Sequence, residues 1–224
     1  MQQAISDILP LALGVAISPI PIIAVILMLF SSRARTNGPA FLLGWIVGLS
    51  LVCLVVSLVA SSADVGTDSS ASDGASAVKV ALGILLILGA IRQWRSRPAP
   101  GAEVPMPKWM AAIDSFTPLK ALGLGVLLSA VNPKNLLLTA GATATVAQAN
   151  LSTTDTVITL AVFVLLASLT IMFPVVFYLL GGDRAKTLLE TWRVWLSANH
   201  AAVMAVLLLV FGVVLLSQGS GKLS

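Results

Sequence analysis

Residues 119–149 read LKALGLGVLLSAVNPKNLLLTAGATATVAQA, an apolar stretch that is too long for one simple transmembrane helix. A helix that crosses a bilayer needs about 20 residues. This stretch is interrupted near its middle by Asn132-Pro133-Lys134-Asn135. Because a proline has no backbone N–H to donate, an α-helix cannot continue unchanged through Pro133. The stretch therefore predicts a membrane helix that is broken inside the bilayer.

The composition indicates that most of the chain lies in a membrane. Of its 224 residues, 58% are hydrophobic and only 10% are charged, and the mean hydropathy is +1.00. A soluble domain usually has about 25% charged residues, so the composition argues against a soluble enzyme. The formal net charge of +4 does not indicate a nucleic-acid partner, because the cations lie in the loops between apolar segments, where membrane topology explains them.

Six apolar segments are separated by polar or Pro/Gly-rich connections, and each is a candidate membrane span. We predict a single all-α integral membrane domain over residues 1–224, with about six transmembrane helices. The predicted spans are residues 8–30, 41–61, 78–94, 119–149, 157–180 and 201–217.

The distribution of the basic residues predicts the orientation of these spans. With both termini outside, the first, third and fifth loops lie in the cytoplasm and carry nearly all the loop cations, as the positive-inside rule expects. These are Arg33, Arg35, Arg92, Arg95, Arg97, Lys108, Lys120, Arg184, Lys186 and Arg193. The prediction is a multi-pass protein of the cell inner (plasma) membrane.

Two cytoplasmic segments, residues 108–117 and 183–196, carry tryptophans and other apolar residues at helical spacing, with charges on the opposite side. Such amphipathic helices can lie in the headgroup region of a bilayer. Ordinary loop helices, in which a tryptophan anchors a helix end, explain the pattern equally well.

The two halves of the chain share a short motif. Residues 14–18, GVAIS, match residues 125–129, GVLLS, and a proline break follows in each half. We predict repeats over residues 1–97 and 118–224, joined by a linker over 98–117. With three spans each, the second repeat would be inverted, giving the 3+3 arrangement with broken first and fourth helices that is common in secondary transporters. The alternative is that two membrane helices merely share a proline kink.

The residues at the two breaks form the candidate site. Broken membrane helices expose carbonyl groups that can bind substrate together with nearby polar side chains. The predicted substrate-binding residues are Ser18, Pro19, Pro21, Ser129, Asn132, Pro133, Lys134 and Asn135.

Lys134 is the most informative of these residues. It lies deep in an apolar run, and no clearly buried carboxylate lies in any predicted span to pair with it. A buried lysine is costly in a bilayer unless it is solvated or paired, so we expect an anionic group of the substrate to pair with it. The alternative is that the side chain reaches the interface.

Other patterns carry no chemistry. Gly44-x-x-x-Gly48 indicates close helix packing. No acid–base, metal or phosphate-binding motif is present, so we expect neither an enzyme nor a cofactor or metal site.

Several motifs together resemble a known family. Residues 18–21 (SPIP) look like the Pro-Gly-Pro motif of the lysine-exporter (LysE) superfamily, with residues 37–44 (NGPAFLLG) opening the second helix and residues 132–135 (NPKN) in the fourth. Residues 107–118 (PKWMAAIDSFTP) and 178–182 (YLLGG) are similar to its actinobacterial branch, the GAP or sulfolipid-addressing (SfLAP-like) family. The resemblance covers nearly the whole chain. The SPIP segment lacks the glycine of the amino-acid exporters, which puts an amino-acid substrate in doubt.

The resemblance implies export across the inner membrane, driven by an ion gradient, often by a homo-oligomer, with a cell-envelope glycolipid as the cargo of mycobacterial members. Combined with Lys134, it predicts a secondary exporter of a small anionic or amphiphilic substrate, with membrane lipids as partners. The alternatives are an amino-acid or small-metabolite exporter and a non-transporting scaffold for envelope-lipid synthesis.

Overall fold

The computed structural model describes residues 1–63, 70–97 and 112–220, and in these ranges it contains helices and no strand. The helices are α1 (Gln2–Ala16), α2 (Pro19–Phe30), α3 (Ala34–Ala63), α4 (Ser70–Arg95), α5 (Pro118–Ala130), α6 (Pro133–Gln148), α7 (Thr153–Gly181) and α8 (Asp183–Ser220), with a short 3-10 turn at Ile113–Ser115. The predicted all-α class is confirmed.

Prolines and capping residues determine where several helices begin. Pro19, Pro118 and Pro133 lie in the first turn of α2, α5 and α6, where the missing N–H has no partner to lose. Thr117 and Asn132 accept hydrogen bonds from the backbone at the start of α5 and α6. These local signals stop one helix and start the next within one apolar run.

Three helices in the described residues are long and apolar enough to cross a membrane: Ala34–Val59 within α3, all of α7, and Arg184–Val214 within α8. The pairs α1–α2 and α5–α6 are bent by 55° and 64°, and counting each pair as one span gives five. The two predicted broken helices are therefore present as bent pairs. The count of six spans and the inverted repeat remain predictions, with α4 covering the third predicted span.

The structure describes the two predicted interfacial segments, residues 108–117 and 183–196, to different extents. Residues 183–196 are not a separate helix, because α8 runs without interruption from Asp183 to Ser220. No proline or glycine separates this amphipathic part from the apolar part that follows, so nothing in the sequence ends the helix there. Of residues 108–117, positions 108–111 lie outside the described residues.

The chain forms two compact units. The first contains residues 1–62 and 106–195, and the second contains residues 63–105 and 196–224. In the first unit α1 packs against α6 and α7, and α2 packs against α7. The predicted division into halves at residues 98–117 remains a prediction.

Small residues allow close helix contacts inside each unit. In the first unit, a Cβ atom added at Gly44 would overlap the Leu122 carbonyl, and one added at Gly48 would overlap Ser129 Oγ. The Gly44-x-x-x-Gly48 motif therefore brings α3 against α5. In the second unit, a Cβ atom added at Gly83 would lie 2.9 Å from the Gly212 carbonyl oxygen, and a Cβ atom added at Gly212 would lie 2.9 Å from the Gly83 carbonyl oxygen.

Candidate functional site

The candidate site lies at the break between α1 and α2, where the carbonyl groups at the end of α1 need donors. The last four carbonyls of a helix have no partner within it, and hydrocarbon supplies none. The Ile17 N–H donates to the Leu13 carbonyl at 2.9 Å, and the Ser18 hydroxyl donates to the Val15 carbonyl at 2.7 Å. Side chains from α6 and α7 bind the neighbouring carbonyls.

Lys134, in the first turn of α6, supplies the strongest of these contacts. Its ammonium nitrogen donates to the Gly14 carbonyl at 2.6 Å, to the Ile17 carbonyl at 3.0 Å and to Ser18 Oγ at 2.8 Å. An ammonium group has three hydrogens, so protein acceptors occupy all three. A cation is favourable at the C-terminal end of a helix because the helix dipole is negative there.

The burial of Lys134 confirms that the residue is not a surface lysine. Its exposed fraction is 5%, and none of its three partners is a carboxylate. In the part of the chain that the structure describes, the partners of the positive charge are thus neutral dipoles. An anionic group could reach the ammonium nitrogen only by replacing one of these acceptors.

Asn135 connects this break to the second one. Its side-chain oxygen lies 3.0 Å from Ser18 Oγ, and its side-chain N–H donates to the Leu128 carbonyl at 3.0 Å. Leu128 lies near the end of α5, so Asn135 binds a carbonyl at the second break. The single hydroxyl hydrogen of Ser18 can reach either Val15 or Asn135. One hydrogen-bond network therefore joins both broken helices.

The other five predicted residues lie beside this network without binding the ammonium group. Pro19 and Pro21 are buried in the first turn of α2. Pro133 is exposed at the start of α6, and Asn132 caps that helix by accepting from the backbone N–H two residues further on, at 3.1 Å. Ser129 is fully buried and donates to a carbonyl of its own helix.

The structure adds one residue that the sequence analysis missed. Thr170 of α7 donates its hydroxyl hydrogen to the Ala16 carbonyl at the end of α1. A threonine in an apolar helix usually bonds to its own helix. Its partner here lies 154 positions earlier, so no local pattern could have indicated this contact.

An apolar groove between α3 and α7 is a second feature that the sequence analysis missed. Its volume is about 610 Å³. It opens at the surface, because the lining residues Leu54, Val157 and Leu165 are more than half exposed. The groove is lined by Ile46, Ser50, Cys53, Leu54, Ser57, Thr153, Thr156, Val157, Leu160, Ala161, Val164, Leu165, Ser168 and Met172.

The described residues that line the groove are apolar or carry small hydroxyl groups, and none of them is charged. Ile46, Ser50, Cys53 and Ser57 recur at helical spacing on α3, so they share one face of that helix. A groove of this kind on a membrane helix pair can accept a hydrocarbon chain, but it offers a polar metabolite only a few hydroxyl groups.

Within the described ranges, no three His, Cys, Asp or Glu side chains lie close enough together to hold a metal ion. The absence of a metal, a cofactor and an enzymatic activity remains an expectation from the sequence.

A family model described as "Sap, sulfolipid-1-addressing protein" (SfLAP) matches residues 8–221. This range includes both breaks and the apolar groove. No curated protein and no solved structure gives a significant match to the chain.

Proposed function

The chain belongs to the sulfolipid-1-addressing protein family, and on that premise we propose that it exports an anionic amphiphile, such as a cell-envelope lipid or its precursor. The export would cross the inner membrane with both termini outside, and the resemblance to the lysine-exporter superfamily suggests an ion gradient as the driving force. In this proposal the protein is a transporter and not an enzyme, and it functions within a homo-oligomer among membrane lipids.

The observation that carries the proposal is the buried ammonium group at the first break. Lys134 is 5% exposed, and its partners among the described residues are two carbonyls and one hydroxyl. Burying an ionisable side chain in a membrane costs free energy, and residues that are buried there nonetheless commonly line substrate pathways. A cargo with a sulfate, phosphate or carboxylate group would give this cation the opposite charge that its present partners lack.

The geometry also suggests how binding could be coupled to movement. The contacts of Lys134 with Gly14 and Ser18 are buried, whereas its contact with Ile17 is only partly buried. An anion arriving from the Ile17 side would displace that carbonyl first. Since the same ammonium group caps α1, its capture by the cargo removes donors from the end of α1 and loosens the break. Release of the anion restores the cap.

The apolar groove favours an amphiphile over a small metabolite. Its opening between α3 and α7 is lined by exposed aliphatic side chains, which a hydrocarbon chain can contact without leaving the bilayer. A water-soluble amino acid would gain little from such a surface, because the groove presents no charge to bind its ammonium or carboxylate group.

The two alternative functions require different features of the structure. An amino-acid or metabolite exporter needs the network around Lys134 but not the groove. A scaffold for envelope-lipid synthesis needs neither, because it acts through contacts with other proteins.

Transport by purified protein in liposomes distinguishes the three functions. The cargoes are a chain-labelled phosphatidylglycerol, the matching phosphatidylcholine, and labelled lysine. The proposal predicts faster movement of phosphatidylglycerol than in protein-free liposomes, with loss of this movement in Lys134→Met but not in the exposed control Lys120→Met. Movement of lysine alone would support the metabolite exporter, and movement of none of the three would support the scaffold.

A further inference from the structure

A basic cavity lies where α2 turns into α3. It has a volume of about 620 Å³ and is lined by residues 30–36 together with Tyr178 and Lys186. Arg33 and Arg35 are exposed cations in this lining, Lys186 is a third basic residue, and no carboxylate belongs to the lining as far as the structure describes it. Two exposed arginines on one side of the cavity favour an anion, because its oxygens can accept charge-assisted hydrogen bonds from both guanidinium groups.

The backbone around the cavity is held by its own hydrogen bonds. The Ala34 N–H donates to the Ser31 carbonyl at 3.1 Å, and the Asn37 N–H donates to the Arg33 carbonyl at 2.9 Å. Asn37 is fully buried, and its side chain donates to the Phe116 carbonyl at 2.9 Å. The turn that presents the two arginines is therefore anchored to the core of its unit.

The opposite wall comes from the end of α7 and the start of α8. The Lys186 ammonium nitrogen lies 6.0 Å from the centre of the Tyr178 ring, at the outer limit of a cation–π contact. This part of the lining therefore presents an aromatic ring and a basic side chain to the cavity.

The basic cavity and the apolar groove lie along the same two helices, α3 and α7. Arg35 precedes the groove residue Ile46 by eleven positions, which is about three helical turns and about 16 Å of rise, so both residues lie on one face of α3. Tyr178 follows the groove residue Met172 by six positions, or about 9 Å of rise along α7. Both helices therefore place the cavity beyond the same end of the groove.

This spacing places the near end of the groove within reach of a lipid chain. One leaflet contributes about 15 Å to a hydrocarbon core of about 30 Å, and Ile46 and Met172 lie about 16 Å and about 9 Å along their helices from the cavity residues Arg35 and Tyr178. A lipid whose headgroup lies in the basic cavity could therefore place the end of its chain at this near end of the groove. The basic residues of the cavity are Arg33, Arg35 and Lys186. The distribution of basic residues along the chain predicts that all three lie on the cytoplasmic side of the membrane.

We propose that the basic cavity binds the anionic sulfate or phosphate headgroup of the amphiphile while its hydrocarbon chain lies in the apolar groove, as a loading site separate from Lys134. This inference rests on the proposed export function, since it identifies where the cargo binds first. A free inorganic anion shares the headgroup chemistry, but it would gain nothing from the groove.

Equilibrium binding to the purified full-length protein in a neutral detergent tests the inference. The probes are chain-labelled phosphatidylglycerol, the matching phosphatidylcholine, and inorganic phosphate or sulfate as competitors. The double variant Arg33→Gln/Arg35→Gln removes two charges from the cavity. Arg92→Gln/Arg95→Gln removes two charges from exposed positions of α4 and serves as the matched control.

The inference predicts that the cavity variant binds phosphatidylglycerol about thirtyfold more weakly than wild type, whereas the control variant binds it normally. Phosphatidylcholine should bind weakly to all three proteins. Equal binding of phosphatidylglycerol by the cavity and control variants would overturn the inference. So would full competition by inorganic phosphate or sulfate at low concentration, because the site would then hold a free anion.

The binding assay can fail independently of the transport assay. If arginine-dependent binding is observed but no lipid is moved in liposomes, the headgroup site stands and the export function is refuted. If lipid is moved but binding does not depend on the arginines, export stands and this loading site is refuted.

Discussion

Replacing Ser18 tests whether Lys134 binds an anion. Ser18 Oγ lies 2.8 Å from the Lys134 ammonium nitrogen, and Ser18 is only 1% exposed. Ser18→Asp places a carboxylate beside the ammonium group, whereas Ser18→Asn adds a side chain of the same size without charge. The two variants therefore differ only in whether Lys134 gains a permanent counterion.

The expected magnitude follows from this distance. Opposite charges about 3 Å apart attract by about 5 kcal/mol at an effective dielectric constant of about 20, and burial of the new carboxylate offsets a large part of that energy. If the pair between the new carboxylate and Lys134 is stabilised by a net free energy of about 2 kcal/mol, an anionic cargo that must displace the carboxylate binds about thirtyfold more weakly. Ser18→Asp should thus fold at least as stably as Ser18→Asn and yet transport labelled phosphatidylglycerol far more slowly.

The assay combines lipid movement in liposomes with thermal unfolding in detergent. Equal transport by the folded Asp and Asn variants would refute the reasoning, because an internal carboxylate would then leave the function of Lys134 unaffected. Lys134 would in that case serve only to cap α1.

Three further predictions concern stability and the groove. Lys134→Met removes the ammonium donor from two buried acceptors and one partly buried acceptor, and it should lower the free energy of unfolding by roughly 2–4 kcal/mol, seen as a lower melting temperature; an unchanged melting temperature would contradict the network. Thr156→Phe fills the apolar groove and should slow lipid transport several-fold, whereas the exposed Thr154→Phe outside it should not; equal rates would rule out the groove as the path. Gly44→Ala meets backbone of α5 and should destabilise by about 1–3 kcal/mol, while Gly123→Ala, with open space around it, should stabilise by about 1 kcal/mol; similar melting temperatures would contradict the close packing.

The positions of both breaks could be predicted because proline acts locally. Pro19 and Pro133 remove a donor at a known place in the chain, whatever the rest of the fold does. The burial of Lys134 could likewise be expected from its apolar surroundings. Its partners could not, because the Gly14 and Ile17 carbonyls lie 120 and 117 positions away, and only tertiary packing brings them together.

Other features depend on information that a single membrane sequence lacks. Positions that line the groove and positions that face lipid are both apolar, so Val157 in the groove and Ile158 beside it look alike in sequence. The sequence analysis treats residues 183–196 as an amphipathic segment and residues 201–217 as a span, but a change of polarity alone does not end a helix whose backbone hydrogen bonds continue.

Photolabelling is the most direct test of the central claim that an anionic amphiphile occupies the groove between α3 and α7. A phosphatidylglycerol analogue with a photoreactive acyl chain would be added to the reconstituted protein, and the labelled residues would be mapped by mass spectrometry. We expect labels concentrated in residues 46–57 and 153–172, with a much lower yield from the phosphatidylcholine analogue. Equal labelling of these residues and of the exposed apolar positions Val206, Leu209, Val210 and Val213, or equal yields from both lipids, would contradict this claim.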